Sequence, residues 1–276
     1  MTKRIVGSGK HVWEVVNPFG RMPDGQPLGA ASAVAVDSQD RVYVLDRNEP
    51  PVQVFDTDGN HLASWGKGEI TEGHGIYLSP QDEVFVTDKD GHDVLKFTTD
   101  GKLLLRLGKR DRPAFQAPFN HPADVAVSAS GDIFVADGYG NSNVHRFTAS
   151  GEYVLSWGVP GAKSGEFTTP HGIWVDSKDR VMVADRENNR LQLFSLDGEL
   201  LEIWPDFFHP MDIYVDAEGF VYVTDQIPRL SVLTADGKLV ARCLHRAHGT
   251  WGDSQGSMYS AWPGLPLIKL QRVNRN

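Results

Sequence analysis

Cysteine is almost missing from this 276-residue chain: Cys243 stands alone, so no disulfide can form within it. That suits a reducing compartment, and a cytoplasmic protein is the expectation. No apolar run approaches the ~20 residues that cross a bilayer as a helix. The basic start, Met1-Thr2-Lys3-Arg4, is not followed by the apolar stretch of a signal peptide. Positive charge is also in deficit, with 27 Lys and Arg against 36 Asp and Glu, a formal net charge of −9. Nucleic acids and acidic membranes recruit clustered Lys and Arg, so neither is an expected partner. The remaining composition, 40% hydrophobic and 23% charged, is that of an ordinary globular protein. The length suits one large all-β domain or two average domains.

What the chain does have is an internal repeat. The stretch from His171 to Asp185 returns as Ser32 to Asp46, His74 to Asp88, Ala123 to Asp137 and Met211 to Asp225. A weaker copy runs from His248 to Trp262. The first positions of the six copies lie 42, 49, 48, 40 and 37 residues apart. Each copy opens on an alternating apolar run, crosses a polar turn and ends a second β-rich run at an aspartate. A third run follows, for example Leu191–Phe194, and then a hairpin pair such as Asp58-Gly59 or Asp197-Gly198. A fourth run commonly closes on an aromatic residue and glycine, as in Trp65-Gly66 and Trp157-Gly158. Four strands per unit at this period predict an all-β fold, a six-bladed β-propeller of four-stranded antiparallel blades. The sixth unit lacks a fourth strand after Ile268–Val273, and His11–Val16 stands unpaired at the other end. That segment is expected to close the ring, leaving Asn17–Ala31 as the connection into blade one and residues 1–276 as a single domain. The aspartates that close the second runs recur in five units, which points to a structural role in their own turns.

The first position of the repeat reads Ser32, His74, Ala123, His171, Met211 and His248. Histidine fills blades two, four and six, which a six-fold ring spaces about 120° apart. Three imidazoles from the innermost strands can therefore converge on the axis, and three neutral imidazoles with one open position are a common catalytic zinc arrangement. The residues just after the closing aspartates come to the same face: Arg47, Lys89, Gly138-Tyr139 and Arg186. Two guanidiniums, an ammonium and a phenol make a mouth suited to a small-molecule or peptide-like anion, unless the cations are paired with Asp46, Asp88 and Asp185. His121 and His209, each two residues before the column, fit turn or capping roles better than the mouth.

The repeat is similar to NHL-type propeller repeats over nearly the whole chain. The segments Asp137-Gly138-Tyr139-Gly140-Asn141-Ser142 and Asp185-Arg186-Glu187-Asn188-Asn189-Arg190 resemble those of the peptidyl-α-hydroxyglycine α-amidating lyases. That resemblance implies zinc on His74, His171 and His248, with Arg47, Tyr139 and Arg186 in substrate binding and catalysis. It implies cleavage of the C–N bond of an α-hydroxyglycine amide, releasing an amide and glyoxylate. Tyr139 would be the base, and because a phenol titrates near 10, the neighbouring Arg47 and Arg186 would have to lower its pKa. The family also carries a structural calcium, held by an acidic residue where this chain has Gly249, and a methionine where this chain has Arg246. Two other readings stay open: a metal-dependent hydrolase or lactonase, which would bring carboxylate and amide ligands to the axis, and a non-catalytic binding scaffold.

Overall fold

The computed structural model describes residues 3–25, 28 and 30–273. Met1 and Thr2, and Gln26, Pro27 and Gly29 within the Asn17–Ala31 connection, lie outside the described residues. Six antiparallel sheets follow one another along the chain, and their inner strands touch in cyclic order, the sixth against the first. This is a six-bladed β-propeller. Blade four is representative: Pro170–Val175, Val181–Asp185, Arg190–Phe194 and Leu200–Trp204 run from the axis outward. Its three inner strands are almost wholly buried, while the outer strand is half exposed. Blades stack face to face, so both faces of an inner strand are covered. That is why these runs are nearly all apolar rather than strictly alternating.

The hairpin glycines join neighbouring blades as well as turning the chain. Gly198, with φ of 81°, lets the ring of Trp157 from the preceding blade rest on the turn; a Cβ there would lie 2.8 Å from the indole. Trp204 meets Gly237 of blade five in the same way. Ring closure follows the sequence expectation. His11–Val16 pairs with Ile268–Arg272 of blade six, with Val15 opposite Leu270. A further strand not expected from the sequence, Ile5–Ser8, pairs outside it, so the sixth sheet has five strands.

The end of the axis away from the histidines is filled by aromatic rings. Tyr77, Trp174, Tyr214 and Trp251 meet at centroid distances of 4.8–5.5 Å. Blades one and three place Ala35 and Ala126 at the same repeat position, leaving room for the larger rings. No helix among the described residues is long and apolar enough to cross a membrane.

Trp13, 1% exposed, seals the closing seam and donates its indole N–H to Gly256 O at 3.0 Å. Trp13→Ala is expected to lower the unfolding free energy by about 3–5 kcal/mol, read as a fall in the urea midpoint.

Candidate metal centre and its mouth

The three column histidines meet at the axis. Their ring centroids are 4.7–5.0 Å apart, and one ligating atom from each lies within 4.8 Å of the others. Two local features aim them. In blade two the pairing shifts between Gly73 and Gly75, leaving His74 as the extra residue of a β-bulge, which turns its side chain out of the strand alternation. Similar shifts fall at the column in blades one, four and five. A glycine then follows each histidine because the next blade lies against it. A Cβ on Gly75, Gly172 or Gly249 would come within 2.5–2.7 Å of Asp124, Met211 or Ala33. An acidic side chain therefore has no room at position 249.

Each Nδ1 faces a carbonyl of the following blade. His74 meets Ala123 O at 2.7 Å, His171 meets Met211 O at 2.7 Å, and His248 meets Ser32 O at 2.8 Å. A carbonyl only accepts, so each Nδ1 carries the proton and each Nε2 turns its lone pair to the axis. Burial keeps all three imidazoles neutral, holding His74 and His171 well below the usual histidine range and lowering His248 to about 4. The Tyr139 hydroxyl lies 2.9 Å from His74 Nε2 and 3.0 Å from His171 Nε2. One phenol proton serves only one of these acceptors, and His248 Nε2 has no hydrogen-bond partner among the described residues. Three convergent lone pairs sharing one proton are a donor set suited to a cation of the zinc type, with the phenol oxygen at the open side.

The mouth residues gather as expected, but their pairing differs from the sequence reading. Arg186 Nη1 reaches the Tyr139 hydroxyl at 3.4 Å, and its guanidinium and the Lys89 ammonium lie 5.5 and 5.9 Å from the tyrosine ring. Arg47 instead approaches His74 and His248, lowering the pKa of both. None of the three cations takes the closing aspartate as its partner. Arg47 and Lys89 share Glu72 Oε1 at 3.3 and 3.0 Å, Lys89 also meets Asp90 at 3.3 Å, and Arg186 holds Glu187 at 2.8 Å. Arg47 and Lys89 reach Glu72 on the loop entering blade two, while Asp90 and Glu187 lie on the loops that follow the closing aspartates.

The aspartates bind the backbone of those loops. Asp88 accepts from Thr71 N and Glu72 N at 2.6 and 2.8 Å, Asp137 from Asn120 N at 3.0 Å, and Asp185 from Thr168 N at 2.9 Å. They act across the blade entrance rather than only within their own turns, and this fixes the residues that follow them. His121 and His209 adopt φ of 58° and 48°, as turn residues, and bond Asn120 and Glu187.

Five acidic residues of the site escaped the sequence reading, among them Asp90 beside Lys89. Glu72 occupies the repeat position of His121 and His209, so comparing that position across blades would have found it. Glu187 adjoins Arg186. Asp124 and Asp212 follow the column in blades three and five, where the histidine blades carry glycine. With the histidines and the aromatic rings they line an axial cavity of about 20 Å3, room for about one water molecule. Burial raises both carboxyls above the ordinary range, and the charge of Asp212 raises Asp124 further.

Gly172→Ala would place a methyl 2.7 Å from Met211 O and 2.9 Å from Asp212 Cα, backbone atoms that cannot rotate away. It is expected to cost about 1–3 kcal/mol and to part His171 from Met211, read by urea unfolding and by the Nδ1–H proton resonance.

Known proteins agree with this architecture. The family described as a six-bladed β-propeller matches residues 117–236. Rat peptidylglycine alpha-amidating monooxygenase is 44% identical over 88 residues, 30% of this chain and 9% of that protein. A solved gluconolactonase from Xanthomonas campestris superposes with a TM-score of 0.71 at 16% identity, covering 94% of this chain and 89% of that one, a likeness of fold alone. NHL repeat-containing protein 3 of Mus musculus is 33% identical over 250 residues, 81% of this chain and 72% of the mouse protein. With identity of that extent across most of both chains, this propeller belongs to the NHL-repeat family that includes NHL repeat-containing protein 3.

Proposed function

We propose that this propeller is a zinc-dependent carbon–nitrogen lyase that splits an α-hydroxyglycine amide, or a similar carbinolamide, into an amide and glyoxylate. The observation that carries the reading is the Tyr139 hydroxyl 2.9 and 3.0 Å from two of three converging imidazole nitrogens. A bound zinc ion supplies Lewis-acid polarisation of the substrate hydroxyl. Tyr139 takes the hydroxyl proton and delivers it to the amide nitrogen. The C–N bond breaks as the C–O bond becomes a carbonyl, and no water is consumed. Arg186 Nη1, 3.4 Å from the phenol oxygen, is placed to donate a hydrogen bond to it. The substrate carboxylate pairs with Arg47, displacing Glu72, and Lys89 adds positive charge to the same wall. Arg246, 4.9 Å over the Trp262 ring, borders the far side near His248 and favours a substrate other than that of the amidating lyases. A cytoplasmic location fits the single cysteine.

A non-catalytic scaffold is the second reading, favoured by the carboxylates that already pair Arg47, Lys89 and Arg186. A hydrolase of the lactonase type is less well supported, because the converging axial donors are imidazoles.

Purified protein is expected to carry one zinc ion per chain and to release glyoxylate from a hydroxyglycine amide. His171→Ala is expected to lose both metal and activity. Tyr139→Phe is expected to keep its zinc while kcat drops about 10²–10⁴-fold. A metal-free wild type, or full turnover by the phenylalanine variant, would overturn the lyase.

A further inference from the structure

Around the axis, the odd-numbered blades hold the histidine blades in place. Ala123 O accepts His74 Nδ1, while the neighbouring Asp124 carboxylate accepts Ile173 N, two residues beyond His171, at 3.1 Å. Met211 O accepts His171 Nδ1, while Asp212 accepts Thr250 N, two residues beyond His248, at 2.7 Å. Blade one completes the circuit without a carboxylate: Ser32 O accepts His248 Nδ1, and Ser32 Oγ donates to Gly73 O at 3.0 Å, next to His74. Each odd blade thus grips one imidazole and the strand of another.

At the third seam an uncharged serine hydroxyl holds the strand, donating to a carbonyl where the carboxylates accept from N–H groups, so holding a strand does not by itself require charge. Both carboxylates line the cavity that also takes in the three imidazoles, and each is partly buried. Burial pushes both carboxyls toward the protonated, neutral form, and a cation held by the neutral imidazoles would favour the ionised one. Three imidazoles contribute no charge toward a divalent ion, whereas two carboxylates match it. The surrounding wall is otherwise apolar, formed by Val34, Ile76, Val125 and Ile213 with the aromatic rings, so the field of these anions is little screened.

We propose that Asp124 and Asp212 are positioning residues of the metal centre: they fix the strands bearing His171 and His248, and their charges balance a divalent cation held by the three imidazoles. The assignment rests on the metal site of the proposed lyase, but it concerns the affinity for the ion and not the reaction.

Asn in place of Asp keeps an oxygen for the backbone N–H and removes the charge, so the two contributions separate. Zinc affinity is measured on Asp124→Asn, Asp212→Asn and the double variant by competition with a chromophoric chelator, alongside the melting temperature of metal-free protein. Each single variant is expected to bind zinc about 10- to 100-fold more weakly, with a metal-free melting temperature no lower than wild type. Asp212→Ala, which also loses the grip on Thr250, is expected to lower that temperature. A purely structural role predicts the reverse pattern: Asn variants with wild-type zinc affinity, which would overturn the assignment while leaving the lyase intact. If wild-type protein binds no zinc, both fail together. Should the double variant not fold, the single variants decide the question by the same measurement.

Discussion

The centre of this protein depends on a hydrogen bond made three times, from a histidine Nδ1 to the carbonyl of the following blade. The bond sets the tautomer, so that Nε2 carries the lone pair that faces the axis. It also sets the ring plane, and it spans a seam between sheets that share no ladder bonds. The seams involved are blades two to three, four to five and six to one, so the triad exists only when every other junction of the ring is made. The last of these depends on the strand His11–Val16 completing blade six. Closure far out on the rim and geometry at the axis are thereby one problem.

Charge is arranged in two layers around that centre. At the mouth, Arg47, Lys89 and Arg186 are matched by Glu72, Asp90 and Glu187, which keeps an acidic protein close to neutral where a ligand would arrive. Deeper in, the imidazoles are held neutral by burial, and burial drives the carboxyls of Asp124 and Asp212 toward their neutral form as well. Paired ions at the rim can exchange partners at little cost because solvent screens them. The inner layer has no such freedom.

The fold was largely legible in the sequence because a repeat exposes itself by comparison. Aligning six copies gave the blades, the closing strand and the histidine column, since alternation around the ring survives without coordinates. Tyr139 and Arg186 were also legible, as residues at a fixed offset from the closing aspartates. The partners of the cations were not. Glu72 lies 25 residues from Arg47 and 17 from Lys89, and only the loop path decides that it falls between them. The fifth strand Ile5–Ser8 has only four residues, too few to show the apolar alternation that marked the others. Asp124 and Asp212 were visible in the same alignment but gained meaning only from the cavity between histidines and aromatic rings, a feature of depth along the axis that a one-dimensional repeat does not encode.

The aromatic cluster of Tyr77, Trp174, Tyr214 and Trp251 carries a consequence for traffic. A propeller axis open at both ends could thread a chain or pass a product out of the back. Here the shaft is a blind well. Whatever reaches the imidazoles must retreat by the door it entered, so a long molecule can offer only a tip or a short side group, and the well must empty before it is filled again.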